Sequence, residues 1–247
     1  MIVAFPRCRL LCTESEALMI DHSLARRSFL SRFGAGLTVL GAGSAATAQA
    51  QTGGTGRWQP SRHDQDDWLD RIPGKHRFVI DTTTADGFGE GVLYTNNFFV
   101  ANQNSYGLGN SDLAVVMIMR HFATVFAYND AMWAKYGQTL GSRINFNDPQ
   151  TKQPPKLNVY NSAAHVPTLP SFGTTLDTVL KRGVHLAVCE MATRFFAGAI
   201  AEASGGNADN IYKELAANLV ANSHMVPAGI VAVNRAQERG YTLASAL

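Results

Sequence analysis

The chain has 247 residues and a formal net charge of +2. The first 50 residues hold five Arg and three acidic residues, so the remainder carries 16 basic and 16 acidic side chains. This balance gives no basis for binding nucleic acid or an anionic membrane surface, and the remaining length suits one domain with a sizeable core.

The first 50 residues have the pattern of a twin-arginine export signal. Arg26 and Arg27 are followed by a Gly/Ala-rich run without charges over 34–47 and by an Ala-Gln-Ala cleavage motif that ends at Ala50. Met19 would give this signal a more usual short leader. We expect a periplasmic protein without stable membrane insertion, because the run is too short and too poor in long aliphatic side chains to span a bilayer. A short buried helix is the alternative.

Cleavage would remove Cys8 and Cys12 and leave Cys189 as the one cysteine of the mature chain. One thiol cannot form an internal disulfide, although the periplasm is oxidising. Cys189 is therefore a buried inert residue, an intermolecular partner or a reactive thiol.

Residues 51–74 are predicted to form a tether and a charged N-terminal arm that packs through Trp68 and Leu69. Residues 75–247 then alternate between strand and helix patterns. The predicted strands are 77–82, 113–119, 184–188, 225–226 and 241–244. The predicted helices are 88–104, 124–136 ended by Gly137, one from Thr174 to Gly183, 190–203, one that starts at Asn207, and 229–239.

This alternation predicts a single-domain α/β fold, with a doubly wound, mostly parallel five-stranded sheet and helices on both faces. Seven consecutive apolar residues over 113–119 indicate a strand that is buried on both faces. The segment 138–172 is rich in Pro, Asn, Thr and Ser, and it is too long for an ordinary connection. It is a functional loop, a lid, an oligomer contact or a solvated insertion.

Cys189 is the leading candidate for chemistry, because it ends a predicted strand and directly precedes a helix. Parallel sheets place their sites beyond the carboxyl ends of the strands. The amides and dipole of a helix N-terminus favour the thiolate, which is the nucleophile. Glu190 opposes ionisation if its carboxylate points inward, and free cysteine is also a common buried packing residue.

The segment 183–189, the Val226-Pro227-Ala228-Gly229 sequence and the tail 237–241 resemble the DsrE/DsrF-like sulfur-relay family. The resemblance covers about residues 174–246, and the first strand and helix fit by order only. It implies a small DsrE-like α/β sandwich that often forms oligomers. It also implies a cysteine, at the position of Cys189, that accepts sulfur as a persulfide and passes it on. The export signal, the arm and the 138–172 insertion depart from a minimal family member.

Two further pairs of candidate residues follow strands. Arg120 and His121 come after the second strand, where Arg120 would bind an anion such as thiosulfate or a carboxylate and His121 would act as a base. An exposed loop pair is the alternative. Asp81 and Thr82 end the first strand, and they either line the same pocket or cap the next helix.

No metal site and no cofactor are predicted. His165 and His224 lack a neighbouring ligand at a metal-binding spacing. Gly87, Gly89 and Gly91 have the spacing G-x-G-x-G, which differs from the dinucleotide fingerprint. The aromatic residues over 122–136 are interpreted as core packing or a subunit interface.

The sequence therefore predicts a periplasmic α/β protein that forms a homo-oligomer. The function expected is sulfur transfer or sulfane-sulfur binding through Cys189, with a small sulfur-containing or anionic ligand. Two alternatives stay open. One is a non-catalytic module that binds a small ligand or a partner through 138–172, and the other is a structural oligomer in which Cys189 is buried packing.

Overall fold

An all-parallel sheet of five strands organises the part of the chain that the computed structural model describes, residues 59–247. The strands are β1 (His76–Thr82), β2 (Leu113–Met119), β3 (His185–Cys189), β4 (Ser223–Val226) and β5 (Thr242–Ala246). Their order is β4-β3-β2-β1-β5. This confirms the predicted doubly wound, five-stranded α/β fold. The predicted export signal, its cleavage site and most of the tether lie outside the described residues.

The described residues also form seven α-helices, of which the first precedes β1 and the other six lie in the connections between strands. They are α1 (Trp68–Arg71), α2 (Ala85–Tyr106), α3 (Asp130–Arg143), α4 (Leu176–Lys181), α5 (Glu190–Ser204), α6 (Ala208–Ala217) and α7 (Gly229–Gln237). Between residues 59 and 247, none of the helices has the length and apolar character that crossing a bilayer requires.

The helices divide between the two faces of the sheet because the winding direction reverses once. The chain adds β1 to β4 in one direction and then returns to place β5 beside β1. Right-handed crossovers put α7 on the face opposite the earlier connections. One core lies under α2 to α6 and contains Phe88, Trp133 and Phe196. The other lies under α1 and α7 and contains Val116 and Ala236.

The reversal creates a crevice between β3 and β4. The connection that leaves β3 enters α5 on one face, whereas the connection that leaves β4 enters α7 on the other face. The two segments diverge at neighbouring carboxyl ends. Open parallel sheets bind their ligands at such a switch point.

The prediction of a helix over 124–136 is wrong in the bounds of that helix. His121–Ala127 forms a 3-10 segment, and α3 begins at Asp130 behind Asn129, whose side chain accepts a hydrogen bond from the amide of Met132. Gly137 lies inside α3 and does not end it. A β-carbon at Gly137 would overlap the carbonyl oxygen of Pro155, so this glycine permits close packing of the chain against the helix.

The segment between α3 and α4 is part of the core, and the interpretation as a solvated insertion is wrong. Val159 and Tyr160 are buried, and the Tyr160 hydroxyl donates to the carbonyl of Ala85 at 2.7 Å. His165 links Asp148, 2.9 Å from its Nε2, to Ser162, 2.8 Å from its Nδ1. The stretch around Asp148 is thereby held to the stretch around Ser162 and His165.

The N-terminal arm belongs to the domain, which begins before residue 75. Leu69 and Ile72 are buried in the core under α7, and the carbonyl of Leu69 accepts a hydrogen bond from the Tyr241 hydroxyl at 2.7 Å. Trp68 stacks on His224 with ring centroids 4.0 Å apart. The prediction that Trp68 and Leu69 anchor the arm is confirmed.

Candidate functional site

A cavity of about 470 Å³ opens at the carboxyl end of the sheet, in the crevice between β3 and β4. Three segments form its wall: the residues after β2, the start of α5 and the start of α7. The lining residues are Arg120, His121, Phe122, Cys189, Met191, Ala192, Phe195, Phe196, Ala228, Gly229 and Ile230. Three predicted site residues, Cys189, Arg120 and His121, therefore share one cavity.

Cys189 ends β3 and is the N-cap residue of α5. Its Sγ accepts a hydrogen bond from the amide of Ala192 at 3.4 Å. The residue is only 6% exposed, yet it lines the cavity. The Thr193 hydroxyl donates to the carbonyl of Cys189 at 3.0 Å and holds the turn. The sulfur thus has both an amide directed at it and an open volume beside it.

Glu190 is engaged away from the cavity. Its carboxylate accepts a hydrogen bond from Nε of Arg194, one turn further along α5, at 2.8 Å. The hydrogen bond to Glu190 raises the pKa of the Arg194 guanidinium, with burial acting in the opposite direction. Glu190 is not among the lining residues. The carboxylate that would oppose a thiolate is therefore paired with Arg194, whose guanidinium lies over the Tyr212 ring of α6.

Arg120 is held rigidly by Asp81. Its Nε and Nη2 donate to the two carboxylate oxygens of Asp81, each at 2.7 Å, so that Nη1 stays outside the pair. Asp81 is 5% exposed and does not line the cavity. The hydrogen bonds to Asp81 raise the pKa of Arg120 against the effect of burial, and the negative charge of Asp81 adds to the increase. Asp81 therefore positions Arg120.

Thr82 lies outside the site, contrary to the expectation for the end of β1. Its hydroxyl donates to the carbonyl of Ile118 at 2.7 Å, and the side chain is fully buried. Successive side chains of a strand point to opposite faces. Asp81 and Thr82 therefore point to opposite faces of the sheet, and Arg120 pairs with the side chain on the Asp81 face.

His121 lines the cavity from its exposed rim. Its backbone is left-handed, with φ of 54°, and its ring lies 4.1 Å from that of Phe122 between centroids. Within the described chain, no hydrogen bond joins His121 to Cys189. The sulfur accepts its hydrogen bond from a backbone amide. The expected role of His121 as the base for Cys189 therefore has no support in this geometry.

Ala228 and Gly229 are cavity residues that the site prediction missed. Gly229 begins α7, and a β-carbon there would overlap the β-carbon of Arg120 and lie 3.2 Å from its Cγ and Cδ. Glycine therefore lets the N-terminus of α7 approach Arg120. The sequence signal for these two residues was the Val226-Pro227-Ala228-Gly229 motif at the end of β4. In the sequence analysis, this motif supported the family resemblance and was not assigned to the site.

The site prediction also missed the apolar residues that line the cavity. Met191 and Phe195 lie one turn apart on α5, with Ile230 across the cavity on α7. The spacing of Met191 and Phe195 was the available signal. They lie on a different side of the helix from the buried Phe196 and Ile200.

The remaining candidates have structural partners. Nδ1 of His185 lies 2.9 Å from Nε2 of His224, and burial, with the charge of His185 adding to it, lowers the pKa of His224 to about 4. The pair is therefore uncharged at neutral pH. Over residues 59–247, no three His, Cys, Asp or Glu side chains converge as metal ligands.

The three glycines after β1 serve close packing of α2. A β-carbon at Gly87 would lie 2.6 Å from the carbonyl oxygen of Ala246, and one at Gly89 would lie 2.6 Å from the Tyr160 hydroxyl. At Gly91 it would lie 2.7 Å from a methyl carbon of Thr82. These glycines thus let α2 lie close to β5, to Tyr160 and to β1.

Comparison of the chain with protein-family models, curated proteins and solved structures gave no match.

Proposed function

We propose that this protein is a DsrE-like sulfane-sulfur carrier or sulfurtransferase that accepts sulfur on Cys189. One observation supports the proposal above the others. The Sγ of Cys189 lies at the wall of a cavity of about 470 Å³ and accepts a hydrogen bond from the amide of Ala192. An amide at a helix N-terminus stabilises a thiolate, and the cavity gives a donor access to it.

The proposed step is a thiol exchange that needs no external oxidant. The Cys189 thiolate attacks the outer sulfur of thiosulfate or of an organic persulfide, and a new S–S bond forms to Sγ. The S–S bond of the donor breaks, and its electron pair leaves on sulfite or on the organic thiolate. Cys189 then carries a persulfide, and an acceptor thiolate removes the outer sulfur by the same exchange.

Hydrogen-bond donors at the site suit an anionic donor and an anionic leaving group. The N-termini of α5 and α7 both meet the cavity, and the aliphatic part of the Arg120 side chain passes beside Gly229 at the start of α7. Helix N-termini attract anions through their free amides and their dipole. These groups would stabilise the negative charge that moves from Cys189 to the leaving group.

The proposal includes export by the twin-arginine route and assembly into a homo-oligomer. A single thiol in an oxidising compartment needs protection or a reducing partner to remain reactive. The low exposure of Cys189, 6%, limits access to the sulfur to what enters the cavity. This burial would slow the formation of disulfides with other large molecules.

Incubation with thiosulfate is expected to add about 32 Da to the native protein as a persulfide. Peptide mapping should locate the added mass on the Cys189 peptide, and the Cys189→Ser variant should show none there. Cys8 and Cys12 are distinguished by the same mapping if they are present. A native, folded protein that gains no sulfur at Cys189 from thiosulfate or from an organic persulfide would contradict the proposal.

A non-catalytic ligand-binding module is the second candidate. The mostly apolar wall of the cavity favours it, because such pockets with a few polar groups are typical of small-ligand sites. The segment 138–172 contributes no lining residue to this cavity, so binding there would not use that segment. Under this alternative, Cys189→Ser leaves ligand binding and biological function unchanged.

A further inference from the structure

We infer that the cavity binds an amphiphilic anion, with an apolar chain against α5 and α7 and a charged head group near Arg120. This rests on the proposed function, in which the molecule is the donor or acceptor of sulfur. The preferred substrate class is then an organic persulfide, thiosulfonate or thiol with an aliphatic or aromatic body, whereas an inorganic oxyanion such as thiosulfate reacts at Cys189 but leaves the apolar part of the cavity unfilled.

The wall of the cavity is the first reason. Five large apolar side chains line the cavity: Phe122, Met191, Phe195, Phe196 and Ile230. Met191 is 69% exposed, Phe195 54% and Ile230 60%, and all three line the same cavity. Exposed apolar side chains that cluster at one opening mark a binding surface, whereas scattered ones do not.

Size is the second reason. A volume of about 470 Å³ holds about fifteen water molecules at ~30 Å³ each. Thiosulfate has five heavy atoms and would leave most of this volume, including the apolar wall, in contact with water. A chain of about eight carbons behind a small charged group fills it far better.

The hydrogen-bond donors beside Arg120 are the third reason. Arg120 is the one permanently charged residue of the lining, and its Nη1 is outside the pair with Asp81. Ala228 precedes α7 and provides no side-chain cap, so the amides of Gly229 and Ile230 have no capping side chain. Both groups favour an anion, and Gly229 brings them together.

The experiment uses straight-chain alkanesulfonates from butane- to decanesulfonate, which carry the anion and the chain but no transferable sulfur. Calorimetry on the full chain is expected to give a Kd that falls about fourfold per added methylene until the cavity is full. Phe195→Ser should weaken octanesulfonate binding about tenfold. The matched control is Phe172→Ser, because Phe172 is 76% exposed and lies outside this cavity.

The outcomes separate this inference from the proposed function. Sulfur uptake from thiosulfate at Cys189, together with a Kd that is independent of chain length, overturns the inference and leaves the proposed function standing. Chain-length dependence without any sulfur uptake supports the inference and contradicts sulfur transfer. If Phe195→Ser lowers the oligomeric state and leaves sulfonate binding unchanged, the apolar rim is an interface between copies and the inference is wrong.

Discussion

Asp81→Asn is expected to lower the free energy of unfolding by about 3 kcal/mol, because it removes the charge that Arg120 needs and keeps the volume. Asp81 is nearly fully buried and accepts two hydrogen bonds of 2.7 Å from Arg120. Removing the carboxylate leaves the charge of Arg120, whose side chain is 28% exposed, without its partner. Urea unfolding of the variant and the parent protein measures the loss.

A matched control separates this effect from the loss of any surface charge. Asp177→Asn breaks the ion pair with Lys181, whose side chains are 48% and 75% exposed, and should change stability very little. The double variant Asp81→Asn/Arg120→Gln should recover much of the loss, because both charges are then absent. A cost of Asp81→Asn no larger than that of Asp177→Asn would show that the pair is not built as described.

Gly137→Ala is expected to destabilise the protein by about 3 kcal/mol, since α3 and the segment at Pro155 cannot keep their present contact. The new β-carbon would overlap the carbonyl oxygen of Pro155, which is backbone and cannot rotate away. In an exposed helix, the same substitution normally stabilises by about 1 kcal/mol. The sign of the change in the free energy of unfolding therefore shows whether α3 packs against the chain at Pro155.

Gly198→Ala is the control, because Gly198 lies inside α5 and no neighbouring heavy atom comes within 4 Å of the position that a β-carbon would take. It should raise the free energy of unfolding by up to about 1 kcal/mol. Thermal or urea unfolding of the two variants should give opposite signs. Equal stabilisation by both alanines would mean that the 144–175 segment does not pack against α3 at Gly137.

Strong local patterns predicted the fold well. The seven apolar residues of β2 are all buried, as a strand covered on both faces requires. The position of Cys189 at a strand end and helix start was also predicted correctly, because the switch from an apolar run to a helical pattern is local. From these features alone, the carboxyl end of the sheet was the expected place for a site.

The details of the site depend on contacts between distant residues, which local patterns do not contain. Asp81 and Arg120 are 39 residues apart, and their pairing follows from the register in which β1 lies beside β2. Gly229 matters only because α7 crosses to the face where Arg120 lies. No periodicity in the sequence gives either fact.

Glycine is the residue type that misleads most. The sequence predicts a helix end at Gly137, and the spacing of Gly87, Gly89 and Gly91, which differs from the dinucleotide fingerprint, does not show what these glycines do. In the structure these glycines lie in helices where another part of the chain comes too close for a side chain. A sequence shows where a residue lacks a β-carbon, but it does not show which neighbouring residue leaves no room for one.

Alkylation of the folded chain tests most directly whether the sulfur of Cys189 is reachable at the sheet edge. Native protein at neutral pH is treated with iodoacetamide, and the modified Cys189 peptide is followed by mass spectrometry beside a denatured sample. We expect native alkylation much faster than unfolding allows, and slower when octanesulfonate fills the cavity. A native rate about a thousandth of the denatured rate or less, as for a thiol exposed only by unfolding, would contradict this account.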